Sequence, residues 1–296
     1  MVNHIKALFQ RIDQKLATLQ KLRPLPKTAV KKLREKFQIE MTYNSNAIEG
    51  NSLTLKETFW VINEGVTVKN KPLKDHLEAK DHHEALDFLY ELVQPQHQVT
   101  ISEKLIRELH DLVMKKTDHT LPDANAVPLT MNKFINWFRQ NHCRLHPIEL
   151  AAKLHHRLVF IHPFLDGNGR TARLLMNVVL MRKGFPLAII LKNDRKRYYQ
   201  VLQQADKDNY LPLIRFIARS LERSLDIYLK TLTPTSKTRE RFFTLAKIAG
   251  KTPFSANYLN LLARQGKLEA HKEKRNWLTS PEAVKRYLNS RERKRK

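Results

Sequence analysis

The residues most able to do chemistry lie close together at positions 162–173, which read HPFLDGNGRTAR. This stretch combines a histidine, a carboxylate, two glycines and two arginines. Glycine can adopt the positive-φ geometries that turn successive backbone N–H groups toward one anion. The apolar run that begins at Leu174 predicts a helix, whose N-terminus would favour the same anion. The sequence therefore predicts a phosphate site with a proton acceptor beside it.

Each polar side chain of this stretch suits a step of nucleotide chemistry. His162 can accept a proton from a hydroxyl, because a histidine has an unperturbed pKa of about 6.5. Asp166 offers the oxygen ligand that Mg²⁺ prefers. Arg170 and Arg173 are three positions apart and reach the same side of a helix, where they can clamp different phosphates. A lone histidine would indicate only packing, but the combination favours a nucleotide site.

Residues 162–173 resemble the signature of the Fic family, H-P-F-x-D/E-G-N-G-R-x-x-R, and match it at every fixed position. Members of that family mostly transfer AMP from ATP to a Ser, Thr or Tyr hydroxyl of a target protein. The resemblance implies that His162 is the general base and that Asp166 holds Mg²⁺. It assigns the ATP phosphates to Gly167, Asn168, Gly169, Arg170 and Arg173, the last of which would grip the γ-phosphate.

A second motif, SNAIEG, occupies residues 45–50. Ser45 and Glu49 are four positions apart and face the same way on a helix, which Gly50 can end in the left-handed conformation. The motif resembles the inhibitory sequence S/T-x-x-x-E-G/N of many Fic proteins, whose glutamate pairs with the second arginine of the signature. The resemblance implies that Glu49 pairs with Arg173 and blocks the seat of the γ-phosphate. An ordinary surface pair without regulatory meaning is the alternative.

The resemblance covers roughly residues 30–230 and is greatest, over residues 145–181, to animal Fic enzymes that modify an endoplasmic-reticulum chaperone. Those enzymes also remove AMP, so the resemblance allows this reverse reaction, and it allows a homodimer. It implies that Tyr199 covers the adenine, with core packing as the alternative. Asp206 stands where those relatives carry an asparagine. Residues 115–130 leave little room for the family's flap hairpin, which docks the target backbone. If the flap is missing, ATP binding can survive while target docking fails or changes.

The composition favours a helical protein with one large and one small domain. The chain has 296 residues, of which 42% are hydrophobic and only 7 are glycine. Its single cysteine, Cys143, excludes an internal disulfide and a cysteine-based zinc cluster. We expect a soluble, cytoplasmic protein without a membrane partner, because the sequence contains neither a signal peptide nor a long apolar run.

Local patterns predict several helix ends. One helix is expected before residues 23–26 and another after them, and Pro147 is expected to begin a further helix. Capping pairs predict helix starts at Thr54 with Glu57 and at Thr100 with Glu103. Four histidines that lie on these helices are interpreted as packed or solvated rather than metal-binding: His82, His83, His155 and His156.

The charge of the chain favours an anionic partner. There are 54 Lys and Arg against 29 Asp and Glu, a formal net charge of +25. Nucleic acid is the first candidate for this partner. The alternative explanation of the charge is a generally basic proteome.

Residues beyond a compositional break at 231–236 resemble the small winged helix-turn-helix domain of excisionase-like and MerR-like regulators. The expected order is a short helix over residues 242–248, a second helix capped by Ser255, a hairpin and a last helix. Such domains bind DNA or dock proteins. The residues expected to face DNA are Ser255, Asn257, Asn260, Arg264, Lys272, Lys274 and Arg275.

Together these patterns predict a mainly α fold, a Fic-type helical bundle with a small C-terminal winged helix-turn-helix domain. The expected divisions are an N-terminal helical extension over 1–40, a Fic domain over 41–230 with an inhibitory helix at about 41–50, a linker over 231–238, a helix-turn-helix domain over 239–290 and a basic tail over 291–296. The predicted function is an ATP- and Mg²⁺-dependent protein adenylyltransferase inhibited by Glu49. The alternative is a DNA-binding regulator whose Fic core binds nucleotide without catalysis.

Overall fold

The computed structural model describes residues 2–116, 127–233 and 242–292, the last range without residues 251, 253, 266, 274 and 275. Contacts divide the chain into two units, Met1–Thr233 and Pro234–Lys296. Several predictions fall outside the described residues: most of the segment 115–130, Lys274, Arg275, most of the linker 231–238, and residues 293–296 of the basic tail.

The first unit consists mainly of α-helices. In chain order they are α1 (Val2–Lys21), α2 (Lys27–Ile48), α3 (Leu55–Phe59), α4 (Leu73–Leu92), α5 (Glu103–Met114), α6 (Val127–Asn141), α7 (Pro147–Ile161), α8 (Asn168–Arg182), α9 (Arg195–Ala205) and α10 (Leu211–Leu232). A π-helical turn over Trp60–Glu64 continues α3, and a 3-10 turn over Lys192–Asp194 precedes α9. The prediction of a mainly α fold is confirmed.

Helix α8 runs through the centre of the first unit. All residues from Arg170 to Leu180 are buried, and α8 packs against α2, α4, α5 and α7. A helix that is covered on every side is normally apolar all round, and between Leu174 and Met181 the one polar residue of α8 is Asn177. Its first two turns, however, carry Arg170 and Arg173, each only 1% exposed. The fold therefore buries two guanidinium groups, which must find partners inside the protein.

The N-terminal residues share the core of this unit. Ile12 of α1 and Phe37 of α2 are completely buried. Helix α2 continues from Lys27 to Ile48, so it crosses the predicted boundary between residues 40 and 41. The predicted inhibitory helix is therefore the last part of a longer helix, whose position is set by packing along its length.

Two of the predicted helix starts are confirmed and one is wrong. The hydroxyl of Thr54 accepts a hydrogen bond from the backbone N–H of Glu57 at 3.2 Å, and the Glu57 carboxylate accepts one from the N–H of Thr54 at 2.7 Å. Helix α7 begins at Pro147 as expected. Helix α5, in contrast, is capped by Ser102 and not by Thr100. Ser102 lies directly before the first helical residue, where its hydroxyl reaches an unpaired amide of the first turn.

The second unit combines three short strands with helices. In chain order it contains β1 (Phe243–Thr244), α11 (Leu245–Ala249), α12 (Ala256–Arg264), β2 (Ala270–Glu273), β3 (Asn276–Thr279) and α13 (Pro281–Glu292). The strands form an antiparallel sheet in the order β1-β3-β2, with Phe243 opposite Thr279 and His271 opposite Leu278. The prediction of a helix over 242–248 is wrong at its start, because residues 243–244 pair with the distant strand β3. Ser255 caps α12 by accepting from the N–H of Tyr258 at 3.2 Å.

Within the ranges that the structure describes, no helix has the length and apolar content needed to cross a bilayer.

Candidate active site

Residues 162–173 form the end of α7, a tight loop and the first two turns of α8. His162 ends α7 with φ 51° and ψ 58°, a left-handed conformation that few residues other than glycine adopt. The side chain of His162 is exposed. Gly167 caps α8 with φ 76°, and a Cβ there would lie 2.8 Å from Sδ of Met114. Both the backbone angle and the close packing therefore require glycine at this position.

The side chain of Asn168 holds the loop closed. Its Nδ2 donates to the carbonyl oxygen of Phe164 at 2.6 Å, and its Oδ1 accepts from the N–H of Phe164 at 3.0 Å. Both ends of the amide are thus used inside the loop. The structure places Asn168 at the predicted phosphate site, where its side chain holds the loop in shape. Its backbone N–H lies at the start of α8, where amides have no acceptor within the helix.

His110 of α5 supports the same loop from outside the signature. Its ring stacks on Phe164 with 3.6 Å between ring centroids and an interplanar angle of 9°. Its Nε2–H donates to the backbone carbonyl of Asp166 at 3.0 Å. Burial lowers the pKa of His110, which favours the neutral ring. No sequence pattern indicated a role for His110, since nothing near it in the sequence distinguishes it from any other residue of an amphipathic helix.

Arg170 is held by two carboxylates. Its Nη2 lies 3.2 Å from Oδ2 of Asp166, and its Nη1 lies 3.4 Å from Oε1 of Glu78, a buried residue of α4. Within the described part of the chain, Nε and Nη1 of Arg170 have no hydrogen-bond partner. The two carboxylates thus balance the charge of the guanidinium, while some of its N–H groups have no hydrogen-bond acceptor among the described residues.

Arg173 receives its partners from the end of α2. Nε donates to the hydroxyl of Ser45 at 2.9 Å, and Nη2 donates to the carbonyl oxygen of Ser45 at 2.9 Å. Nη2 also donates to Oε1 of Glu49 at 2.7 Å. Burial acts to lower the pKa of Arg173, but Glu49 and Tyr198 together outweigh this effect, so the pKa is raised. The structure thus brings Ser45, Glu49 and Arg173 together, while Nη1 of Arg173 has no acceptor among the described residues.

The turn that carries Glu49 is fixed from two sides. Glu49 caps α2, and Gly50 follows with φ 108°. From α9, Nε of Arg195 donates to the carbonyl oxygen of Ile48 at 2.7 Å. From α4, Oε2 of Glu78 accepts from Nδ2 of Asn51 at 2.9 Å. The backbone around Glu49 is therefore anchored, and its flexible side chain is the part of the contact with Arg173 that can move.

The Glu49 carboxylate lies over Gly169. A Cβ on Gly169 would overlap Oε1 of Glu49 and lie 3.1 Å from Nη1 of Arg173. Gly169 is in the first turn of α8, where the helix dipole and free amides favour an anion. A negative group therefore already sits where the sequence predicts a phosphate.

Tyr199, which is predicted to cover the adenine, lies on α9, and Asp206 follows the last residue of this helix. Tyr199 is 37% exposed, with the guanidinium of Arg195 at 5.2 Å from its ring centroid, so its ring is not packed in the core. Asp206 lies 2.9 Å from Nε2 of His156, which in turn lies 3.1 Å by Nδ1 from the hydroxyl of Tyr210. The Asp206 carboxylate is thus engaged by a histidine.

The carboxylates near the loop suit a metal ion that is bound together with a nucleotide. Across the described ranges, no group of three or more His, Cys, Asp or Glu side chains could hold a metal. Asp166 offers one carboxylate, 48% exposed, beside the phosphate site. Mg²⁺ is commonly held by one or two carboxylates plus the phosphates of the substrate, so this set fits that ion.

Three of the four histidines that the sequence analysis considered on α4 and α7 are buried, as expected for packed residues. His82 is completely buried, and burial followed by the charges of Arg173 and Arg170 lowers its pKa well below the usual range. His155 and His156 are also buried.

Comparisons with known proteins agree with this site. Residues 82–180 match the model of the Fic/DOC family. The chain is 37% identical over 257 residues to a protein adenylyltransferase Fic of Nematostella vectensis, an alignment covering 80% of this chain. The chain spans only 60% of that relative's length.

Two solved structures share the fold. One is a Fic domain containing signaling protein from Bacteroides thetaiotaomicron, with 31% identity and a TM-score of 0.69 over 76% of this chain and 98% of that one. The other is a fragment of Fic-1 from C. elegans, with 30% identity and a TM-score of 0.71 over 78% of this chain and 73% of that one. With the complete signature seated on α7 and α8, these likenesses show that the chain belongs to the Fic family.

Proposed function

We propose that this chain is a protein adenylyltransferase that moves AMP from ATP to a hydroxyl side chain of a target protein. The observation that carries the proposal is the pair of buried arginines at the N-terminus of α8, beside the exposed His162. The printed name of the Nematostella relative, a protein adenylyltransferase, supports the same activity.

The unused donors of these arginines support ATP as the substrate. Nε of Arg170 and Nη1 of Arg173 are buried without a hydrogen-bond acceptor in the described ranges, and Nη1 of Arg170 has only the ion pair with Glu78 at 3.4 Å. A buried donor without a partner costs about 1–3 kcal/mol. Phosphate oxygens would satisfy these donors together with the free amides at the start of α8. The site is thus arranged for a polyphosphate before one binds.

The proposed reaction is attack of the target hydroxyl on the α-phosphorus. A bond forms between the hydroxyl oxygen and this phosphorus, the bond to the bridging oxygen of the β-phosphate breaks, and pyrophosphate leaves. His162 accepts the proton of the hydroxyl. Because His162 is exposed, it can meet a side chain presented by a macromolecule. Mg²⁺, held by Asp166, would neutralise phosphate charge.

We propose that Glu49 inhibits this reaction. Its carboxylate uses the Nη2 donor of Arg173 and fills the space beside Gly169, so a γ-phosphate cannot take the same place. In the reverse reaction, removal of AMP from a modified target, Glu49 would orient the attacking water.

The test is labelling of protein by α-labelled ATP with Mg²⁺ in a lysate, with mass spectrometry of the labelled band. Wild type should label weakly and Glu49→Gly more strongly, and His162→Ala in the Glu49→Gly background should abolish the label. Glu64→Gly is the matched control, since Glu64 is also an exposed glutamate that precedes a helix-ending glycine, Gly65. This variant should behave as wild type.

Two results would overturn the proposal. One is the absence of label in every form, and the other is a label that survives His162→Ala. Labelling from γ-labelled ATP instead would indicate phosphoryl transfer. Binding of ATP without transfer would favour the alternative, a regulator with a catalytically silent core.

We further propose that the second unit binds DNA and so localises the enzyme or its target. Asn257, Asn260 and Arg264 are exposed on α12 at a spacing that places them on one side, and Lys272 of β2 is exposed as well. The hydroxyl of Ser255 is occupied as the helix cap. A gel shift with duplex DNA over a range of salt concentrations tests this, because contacts to phosphates weaken steeply with salt. No shift at low salt would refute DNA binding.

A further inference from the structure

The end of α2, just before Glu49, is anchored by a side chain of another helix. Ile48 is the last residue of α2, and its backbone carbonyl accepts a hydrogen bond from Nε of Arg195 at 2.7 Å. Arg195 is the first residue of α9 and is exposed. The final carbonyls of a helix have no donor within the helix, and an arginine that supplies one also interacts favourably with the helix dipole. Arg195 thus stabilises this end of α2 from outside the helix.

This hydrogen bond acts on the peptide group that leads into Glu49. The carbonyl of Ile48 belongs to the planar peptide that joins Ile48 to Glu49, so holding the carbonyl fixes the direction in which the chain enters Glu49. The Glu49 carboxylate must in turn reach Nη2 of Arg173, 2.7 Å away. That contact costs less conformational entropy when the backbone beside it is already fixed.

The start of α9 is itself held against α2. The backbone N–H of Lys192 donates to Oδ1 of Asn44, a buried residue of α2, at 2.8 Å. The guanidinium of Arg195 lies 5.2 Å from the ring centroid of Tyr199, one turn along α9. Both the backbone and the side chain that carry the donor are therefore restrained, so that Arg195 stays directed toward α2.

We propose that Arg195 is a positioning residue of the inhibitory contact, which holds the peptide before Glu49 so that the Glu49 carboxylate stays on Arg173. The inference rests on the proposed inhibition by Glu49. Loss of the Arg195 donor removes this partner of the Ile48 carbonyl and lets the end of α2 fray. Inhibition then weakens, whereas a chain that lacks the Glu49 carboxylate has nothing for Arg195 to position.

The first experiment measures the rate of labelling by α-labelled ATP with Mg²⁺, using the full chain with and without Glu49→Gly. Arg195→Met keeps an unbranched side chain but removes every donor. With Glu49 present, Arg195→Met should raise the rate about tenfold, equivalent to about 1.4 kcal/mol, which is the order expected for one hydrogen bond to a charged group. In the Glu49→Gly background it should leave the rate unchanged.

Arg197→Met is the matched control. Arg197 is another exposed arginine of α9, but its guanidinium lies over Phe216 of α10, 6.0 Å from the ring centroid. Arg197→Met should therefore label at the rate of its parent in both backgrounds. Arg195→Lys keeps a positively charged donor, so it should label more slowly than Arg195→Met when Glu49 is present. Equal labelling by Arg195→Lys and Arg195→Met would contradict the hydrogen bond as the cause.

A second measurement does not depend on transfer of AMP. The backbone N–H groups of Glu49 and Asn51 both donate to the carbonyl of Asn46, at 3.0 and 3.1 Å. Hydrogen exchange of these two amides should be about tenfold faster in Arg195→Met than in wild type, and unchanged in Arg197→Met. Unchanged exchange in Arg195→Met would overturn the proposal, even if no form of the chain labels protein.

The labelling rates also separate this inference from the function on which it rests. If Glu49→Gly does not raise labelling, the proposed inhibition by Glu49 is wrong. If Glu49→Gly raises labelling and Arg195→Met does not, the positioning role of Arg195 is refuted. An equal rise with Arg195→Met in both backgrounds would also refute it, because the effect of Arg195 would then be independent of Glu49.

Discussion

The side-chain carboxylate of Glu49 lies directly against Gly169. The carboxylate of Glu49 lies where a side chain on Gly169 would be, beside Nη1 of Arg173 and in the first turn of α8. The missing side chain lets an anion approach both a guanidinium and the N-terminus of a helix. We expect the inhibitory carboxylate and a phosphate of ATP to need this same space, so that the two compete directly.

Gly169→Ala should therefore inhibit transfer even after Glu49 has been removed. In the Glu49→Gly background the added methyl group no longer meets a carboxylate, but it fills the place that a phosphate needs. We expect the rate of labelling by α-labelled ATP to fall at least about tenfold, equivalent to about 1.4 kcal/mol. Gly250→Ala is the control, because a Cβ there has its nearest neighbour at 3.9 Å. A labelling rate unchanged by Gly169→Ala would contradict the shared space.

His110 should matter through the loop that it supports. His110→Ala in the Glu49→Gly background removes both the stacking on Phe164 and the hydrogen bond to Asp166. We expect about tenfold slower labelling, since small displacements of catalytic groups are costly. His110→Phe keeps a ring that can stack on Phe164, so its labelling rate should lie between the rates of His110→Ala and of the Glu49→Gly parent. His142→Ala removes a more distant stacked ring from Phe138, with 5.7 Å between ring centroids, and should leave the rate unchanged. Equal effects of His110→Ala and His142→Ala would argue against a specific role.

The sequence was sufficient for the parts of the site that depend on local spacing. The arginines of α8 and the turn at Gly167 follow from the signature, and the structure has both. The pairing of Glu49 with Arg173 joins two different helices and was implied by the resemblance of residues 45–50 to the inhibitory motif, and the structure has this contact as well. The expected helices of the first unit follow from periodicity and caps.

Residues that reach the site from other helices could not be predicted in the same way. Glu78 and His110 lie on α4 and α5, and each contacts the signature only because the helices pack together. Nothing in their own neighbourhood distinguishes them from core or surface residues. The strand over 243–244 was missed for the same reason, since its partner β3 is distant in sequence. A fixed spacing in the sequence reveals contacts along one element, whereas these contacts depend on the packing of several.

Acid should weaken the contact between α1 and α10. Glu222 of α10 accepts hydrogen bonds from Arg11 and Lys15, and the bond from Arg11 is the main reason that its pKa is lowered to about 2. In the unfolded chain this carboxyl has the ordinary glutamate pKa of 4.5, so the contact stabilises the fold fully above that pH. The stabilisation is lost as the pH falls from about 4.5 toward about 2.

Glu222→Gln should accordingly be less stable than wild type at pH 7, and the difference should close as the pH falls through this window. Urea unfolding at a series of pH values measures it. Glu35→Gln is the control, because Glu35 is exposed and its nearest cation, Lys31, is 3.9 Å away. It should change stability little at any of these pH values. A constant difference between Glu222→Gln and wild type across the window would contradict the shifted pKa.

The exposed side of α12 should carry the contacts to DNA. Arg264 and Lys272 are both exposed, and neither belongs to the core of the second unit. If Lys272 contacts a phosphate, Lys272→Ala should weaken binding to all duplexes and reduce the slope of affinity against salt by about 1. If Arg264 reads a base edge, Arg264→Ala should cost about 1–3 kcal/mol of binding free energy at the preferred site and relax sequence preference.

Lys285 of α13 is an exposed lysine on another helix and provides the control. Equal losses for Lys272→Ala and Lys285→Ala would indicate that only the net positive charge of the protein attracts DNA.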